Sequence, residues 1–388
     1  MTTRTVTSLV ALALASTVVA ACGSSSTTGS TATTASASTA STSASSGLSL
    51  KGVCPDNIVV QTDWYATPER AAAYQMVGPN GVFDKNKGTY SGPLGTTGVT
   101  MEVRMGGNFI NFQAIPAQMY QDPSIFLGYV ATDDGVQGAE KFPTKAVVAP
   151  LDINPQILMW DPSTYPNIKT FQDVAASGAK VMYIEGLPFM DYLVSKGYVK
   201  KEQLDASYDG TPARFVSEGG KLIQQAYLSS EPFRWEHDVK EWAKPVKSLL
   251  IDDSGYRIYP QGLAVKPDQV TKSKDCLAKL VPMIQQAQVD YVKDPAATNA
   301  ALAKIATELG SGPPITLAGN VNAVKVMVDA KIVGNGPNAT LGDFDMARID
   351  ATIAQLAPIY AARGQALPTG LKSSDIATNE FIDTSIHL

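Results

Sequence analysis

The chain has 388 residues with 31 Lys+Arg against 36 Asp+Glu, a formal net charge of -5. A nucleic-acid partner is excluded on that balance, because phosphate neutralisation needs a basic surface. Hydrophobic residues make up 44% and charged residues 17%, enough apolar material for packed cores and a length that suits two domains. Two histidines, His237 and His387, leave imidazole-rich metal sites and Ser/His/Asp triads almost nothing to work with, which argues against a hydrolase.

Residues 1–21 read as a signal peptide: Arg4, then an apolar run from Leu9 to Ala15 too short to span a bilayer, then small residues. The stretch Val19-Ala20-Ala21-Cys22 resembles a bacterial lipobox, with Val where Leu is usual. That resemblance implies acylation at Cys22, export, and anchoring to the outer face of the cytoplasmic membrane. An ordinary secretory signal with an incidental cysteine is the alternative. From Gly23 to Gly47 every residue is Ser, Thr, Ala or Gly, so no core can form. Residues 22–52 are expected to be a lipidated cysteine plus a disordered tether, whose coil would span about 25 to 30 Å. Folding is expected to begin near Val53.

Cys54 and Cys276 remain once Cys22 is set aside. An even number of thiols in an oxidising compartment reads most simply as one disulfide, the alternative being two unpaired buried thiols. Neither lies in a Cys-x-x-Cys or zinc-ligand spacing, and no cofactor is expected.

The body alternates apolar strands with amphipathic helices, the pattern of α/β layers with largely parallel strands. Asn57 to Thr62 reads as a strand, and Thr67-Pro68-Glu69 opens a helix. Val99 to Met105 is a strand running into Gly106-Gly107-Asn108, with Asn111 to Tyr120 helical beyond it. Ile125 to Val130 is a strand followed by the polar turn Ala131-Thr132-Asp133-Asp134 and a helix. Each such turn sets backbone N–H groups and short polar side chains at a sheet's carboxyl edge, where α/β proteins bind ligands.

A second set of units begins with Gln156 to Trp160 and includes the strand Lys180 to Ile184, which stops at Glu185-Gly186. Helices follow from Phe189 to Lys196 and from Thr211 to Gly220. Leu222 to Tyr227 is a strand closing on Ser229-Ser230-Glu231-Pro232, Pro232 to Trp242 is helical, and Val246 to Ile251 is a strand. After Tyr256 to Val265 the chain turns mainly helical. Leu277, Leu280, Val281, Ile284, Ala287 and Tyr291 mark one helix face, with Thr271 as its N-cap and Pro282 as a kink. Further helices are expected over 298–309, 321–332 and 344–362.

No phosphate loop, Gly-x-Ser-x-Gly or His-Glu-x-x-His is present, and His237 sits among polar neighbours with no catalytic partner in view. The run Thr62-Asp63-Trp64-Tyr65-Ala66-Thr67-Pro68-Glu69 resembles the opening motif of the thiamine-pyrimidine-synthase-like family, which includes solute-binding lipoproteins for thiamine-pyrimidine precursors, riboflavin, sulfonates and nitrate. Met105-Gly106-Gly107, Ser230-Glu231-Pro232 and Thr378-Asn379-Glu380-Phe381 extend the likeness over most of residues 56–385, with Arg70 standing where relatives often have a histidine.

The resemblance implies a type II periplasmic binding protein, two α/β lobes joined by two crossing segments with a ligand cleft between them. Lobe 1 would be 54–153 plus 260–388 and lobe 2 would be 154–259, with crossings near Ile153 to Pro155 and near Tyr259 to Gly262. It implies a monomer that captures a small solute and delivers it to an ABC permease with its ATPase. Trp64 and Tyr65 would offer flat apolar surfaces, and Asp63, Glu69, Gly107, Asn108, Asp133, Glu185, Ser230 and Glu231 would line the cleft. Acids outnumber bases in these turns, so a small flat nitrogen heterocycle suits better than a sulfonate or nitrate anion. A cell-surface sensor is the alternative of another class. A pyrimidine-synthase-like enzyme is disfavoured because the cysteine cluster is missing.

Overall fold

The computed structural model describes residues 48–388; the expected signal peptide, Cys22 and the expected tether up to Gly47 lie outside the described residues. Leu50 is already fully buried and its N–H donates to the Thr97 carbonyl at 3.0 Å. Packing therefore begins inside the stretch that composition assigned to the tether.

Two sheets form the frame. The strands in chain order are β1 (Asn57–Gln61), β2 (Val82–Asp84), β3 (Thr89–Pro93), β4 (Thr100–Arg104), β5 (Ile125–Val130), β6 (Lys145–Val148), β7 (Gln156–Trp160), β8 (Lys180–Met182), β9 (Leu204–Asp205), β10 (Leu222–Tyr227), β11 (Lys247–Leu250) and β12 (Gly262–Val265). The first sheet runs β2-β3-β4-β1-β5-β12-β6 and the second β11-β7-β10-β8-β9. β1 sits between two parallel neighbours, β4 and β5, and its apolar run is buried on both faces. Ile58 and Val60 join one core while Val59 joins another, as the period of two requires.

The sheets are mixed rather than largely parallel. β12 pairs antiparallel with both β5 and β6, and β7 pairs antiparallel with β10 and β11, because these strands flank the passages between sheets. The hairpin of β2 and β3 adds an antiparallel edge. The chain leaves the first sheet through residues 149–155 and returns through residues 251–261.

One arginine ties these two passages together. Arg348, on the helix Met346–Ala362, donates from Nη2 to the carbonyls of Asp152 (2.6 Å) and Ile258 (2.5 Å) and from Nη1 to the Asp152 carboxylate (2.9 Å). Its guanidinium lies 4.1 Å from the centre of the Tyr259 ring.

The helix Lys274–Lys293 buries all six residues of the expected face and carries Pro282 inside its span. Thr271 is not its N-cap, since it lies within the separate short helix Pro267–Lys272. The segment expected to be helical from Asn111 starts instead with a 3-10 turn, Gly107–Ile110. Asn111 and Phe112 then take φ of 51° and 54°, and the helix begins only at Ile115–Gln121. Cys54 and Cys276 are disulfide-bonded with Cα atoms 4.9 Å apart, fastening the chain ahead of β1 to the long helix.

Candidate functional site

A cavity of about 650 Å³ is lined by the carboxyl ends of strands from both sheets. From the first come Asp63 and Trp64 after β1, Glu69 and Arg70, the segment 112–117, and Asp133 and Asp134 after β5. From the second come Ile184 to Leu187 after β8, Gln225 to Tyr227 at the end of β10, and Ser230, Glu231 and Arg234. Tyr360 and residues 364–368 close one side.

The turn after β1 depends on Gly106. A Cβ there would lie 2.3 Å from the Asp63 backbone, and the Gly106 N–H donates to the Trp64 carbonyl at 2.9 Å. The turn brings Trp64 against Gly210, at φ +84°, where a Cβ would stand 2.8 Å from the indole. Trp64 is partly exposed and also meets Phe112, with ring centres 5.7 Å apart.

Arg70 is the electrostatic centre of this wall, 2% exposed. Its Nε and Nη2 donate to the two oxygens of Asp63 at 2.8 and 2.5 Å, and its Nη1 lies 3.7 Å from the Glu69 carboxylate. Its guanidinium also faces the Tyr227 ring of the opposite sheet at 5.4 Å. Burial alone would depress the Arg70 pKa, but the Asp63 charge more than offsets it and the group stays firmly protonated.

Glu69, 1% exposed, crosses between the sheets: Ser229 and Ser230 both donate hydroxyl hydrogen bonds to its Oε1, the second at 2.7 Å. Burial would push its carboxyl up, but Arg70 and these hydroxyls pull it below its ordinary value. Glu231 is likewise partnered, accepting from Arg234 at 2.7 Å and from the Tyr227 N–H at 2.7 Å. Burial outweighs Arg234 there and raises its pKa.

The structure brings Asp63, Trp64, Glu69, Asp133, Glu185, Ser230 and Glu231 to one cavity. It does not bring Tyr65, Gly107 or Asn108 there. Tyr65 is buried, edge-on to Trp64 at 5.5 Å, and its ring fills the space beside Gly107, so these residues support the indole from behind. Arg104 is also away from the cavity, paired with Glu102 and Asp122. Sequence reasoning missed Arg234, Tyr227, Asp134 and Tyr360 as wall residues. Asp134 had a signal, its place beside Asp133 in the turn after β5; Tyr360 had none, being one more apolar position on a core helix.

Carboxylates on the wall outnumber cations seven to three, and of those cations Arg70 and Arg234 are already paired while Lys141 is exposed. Such a wall favours hydrogen-bond donors and positive charge over anions.

No family model matches the chain, and no curated protein matches it. Solved structures do. The alkanesulfonate-binding protein SsuA from Xanthomonas axonopodis pv. citri, bound to MOPS, is similar at 10% identity and a TM-score of 0.54, over 84% of this chain and 98% of that one. The periplasmic aliphatic sulphonate binding protein SsuA from Escherichia coli is similar at 14% identity and a TM-score of 0.53, over 86% and 94%. At these identities the likeness speaks to architecture alone: the chain has the α/β fold of the type II periplasmic binding proteins, two sheets with a cavity between them.

Proposed function

We propose that this protein is an extracytoplasmic solute-binding lipoprotein that captures a small, flat nitrogen heterocycle between its sheets and passes it to an ABC permease with its ATPase. In this reading it is a monomer, acylated at Cys22 and held to the membrane by the Ser/Thr/Ala/Gly tether. The lobes are 54–153 with 260–388 and 154–259. The observation that carries the reading is the cavity itself: about 650 Å³, walled from both sheets, rich in carboxylates, with the partly exposed Trp64 indole on its wall. Binding rather than catalysis follows from what the walls hold, acceptors and aromatic faces whose strongest groups are already partnered.

The sulfonate ligands in the names of the two structural relatives favour an anion as a second reading. The carboxylate excess opposes it: Asp63, Glu69 and Glu231 are offset by Arg70 and Arg234; Glu140, Glu185 and Lys141 are exposed; and the wall acids left without a counter-charge are Asp133 and Asp134.

Stacking on Trp64 gives the test. With the solute recovered from the purified protein, calorimetric titration of Trp64→Ala is expected to show affinity lower by about 5-fold to 150-fold, the loss of one aromatic stacking platform. Unchanged affinity would remove Trp64 from the site.

A further inference from the structure

Resting on the solute-binding reading above, we infer that the solute is an organic cation and that its charge is held at Asp133 and Asp134, beside the hydroxyls of Tyr256 and Tyr360. Among the described residues neither carboxylate forms an ion pair, and no cation is among the groups acting on either. Asp133 is buried; its Oδ2 accepts from the Tyr256 hydroxyl at 2.6 Å and its Oδ1 from the Asp134 N–H at 3.1 Å. Asp134 is half-buried on the cavity wall with no counter-charge. The other charged neighbour acting on it is Asp63, which has the same sign.

The second observation is independent of the acids. Tyr360 is 1% exposed, lines the same cavity, and its hydroxyl has no hydrogen-bond partner. It lies within electrostatic reach of both Asp133 and Asp134. The arginine that ends its helix, Arg363, is committed to Asp191. A buried hydroxyl without a partner is uncommon, and this one, donor and acceptor at once, leaves an oxygen lone pair that a ligand N–H beside the two carboxylates would fill. Among the described residues no three carboxylate, imidazole or thiol groups converge, and a cavity of about 650 Å³ suits an organic cation better than a bare ion. An amidinium or aminoheterocycle, planar with several N–H donors, satisfies two carboxylates and a phenol oxygen at once.

The charge state of the corner follows from its surroundings: Asp63 from the turn after β1, Tyr256 from the second passage, Tyr360 from the helix Met346–Ala362, and the Arg363–Asp191 pair beyond it. Burial pushes the Asp133 carboxyl up to about 6, and burial with the Asp133 charge raises Asp134 as well. These groups hold protons in the fold that the unfolded chain has already lost. Their contribution to stability is therefore full below the ordinary carboxylate pKa and is lost as pH rises through the raised values, which for Asp133 is about 6. A bound cation favours the ionised forms, so its affinity rises with pH across the same window.

The test uses three molecules of one shape and different charge, benzamidinium, benzamide and benzoate, titrated calorimetrically at pH 7.5. Benzamidinium is expected to bind about 10-fold to 100-fold more tightly than benzoate, as charge-assisted hydrogen bonds to carboxylate allow. That preference is expected to shrink toward pH 5 and to vanish in Asp134→Asn. Without any added molecule, Asp134→Asn is expected to melt higher than wild type above pH 7, because one buried like charge is gone; the same readout shows that the variant folds. Equal response to the three molecules, absence of response included, overturns the inference, and so does a lower melting temperature of Asp134→Asn above pH 7. Benzoate bound in wild type and lost in Trp64→Ala removes the cation assignment while leaving solute binding in place.

Discussion

Replacing Arg70 by alanine is expected to lower stability by about 3 to 5 kcal/mol, the largest single-residue effect on the cavity wall, because a buried ion pair loses one partner while the other stays buried. Asp63 loses both of its forked hydrogen bonds, and Glu69, almost fully enclosed, loses its one nearby positive charge. The deficit has a pH signature. In wild type the Glu69 carboxyl lies below its ordinary value, so its contribution is present at neutral pH and is lost only on acidification through that lowered pKa. With Arg70 gone, burial is opposed only by hydroxyls and the carboxyl moves upward, so the variant should lose more stability as pH rises toward neutrality. Arg70→Lys should recover little, since a point charge cannot reproduce the two parallel bonds to Asp63. Urea unfolding at pH 5 and pH 7.5 measures both effects. A loss under about 1 kcal/mol at pH 7.5 would mean the cluster is not the electrostatic keystone described above.

Removing the Cys54–Cys276 disulfide is the second large effect. The bond closes a loop with a sequence separation of 222, and a cross-link over so long a loop strongly restricts the unfolded chain. A Cys54→Ser, Cys276→Ser double variant is expected to lose about 2 to 5 kcal/mol. Both half-cystines pack in the core beneath the first sheet, away from the cavity wall. Solute affinity should therefore be unchanged even as the unfolding midpoint falls. An unchanged midpoint, with both proteins kept under non-reducing conditions, would contradict the assignment of stability to this bond.

The parts of the fold visible in the sequence are those where one residue pattern had one structural outcome. β5 was legible because Ile125 to Val130 is an apolar run bounded by turn residues, and β10 because Leu222 to Tyr227 stands between the Gly219-Gly220 turn and the Ser229-Ser230 turn. The buried stripe of the helix Lys274–Lys293 was legible from its spacing. The left-handed pair Asn111 and Phe112 was not, since a bulky Phe at positive φ carries no local signal and is held there by what surrounds it. The short hairpin of β2 and β3 was missed because Val82-Phe83-Asp84 is too short and too exposed to show a period.

At the site the difference is one of distance along the chain. Strand-end turns, together with the family resemblance, marked Asp63, Trp64, Asp133 and Glu231. Arg70 folds back onto Asp63 within the same turn, whereas the meeting of Glu69 with Ser229 and of Tyr360 with the Asp133 corner are consequences of packing between segments remote in sequence. The motif also made Tyr65 look equivalent to Trp64, yet only one of two adjacent rings can face the cavity, and the space beside Gly107 takes Tyr65.

The central claim is that the cavity holds a small, flat, nitrogen-containing cation, and native mass spectrometry of the protein purified without unfolding tests it most directly. The expected spectrum shows a single small-molecule adduct whose mass fits an aminoheterocycle or amidinium-like compound, retained by wild type and lost from both Trp64→Ala and Asp134→Asn. An adduct that is a sulfonate, nitrate or other anion, or one retained equally by both variants, would contradict it.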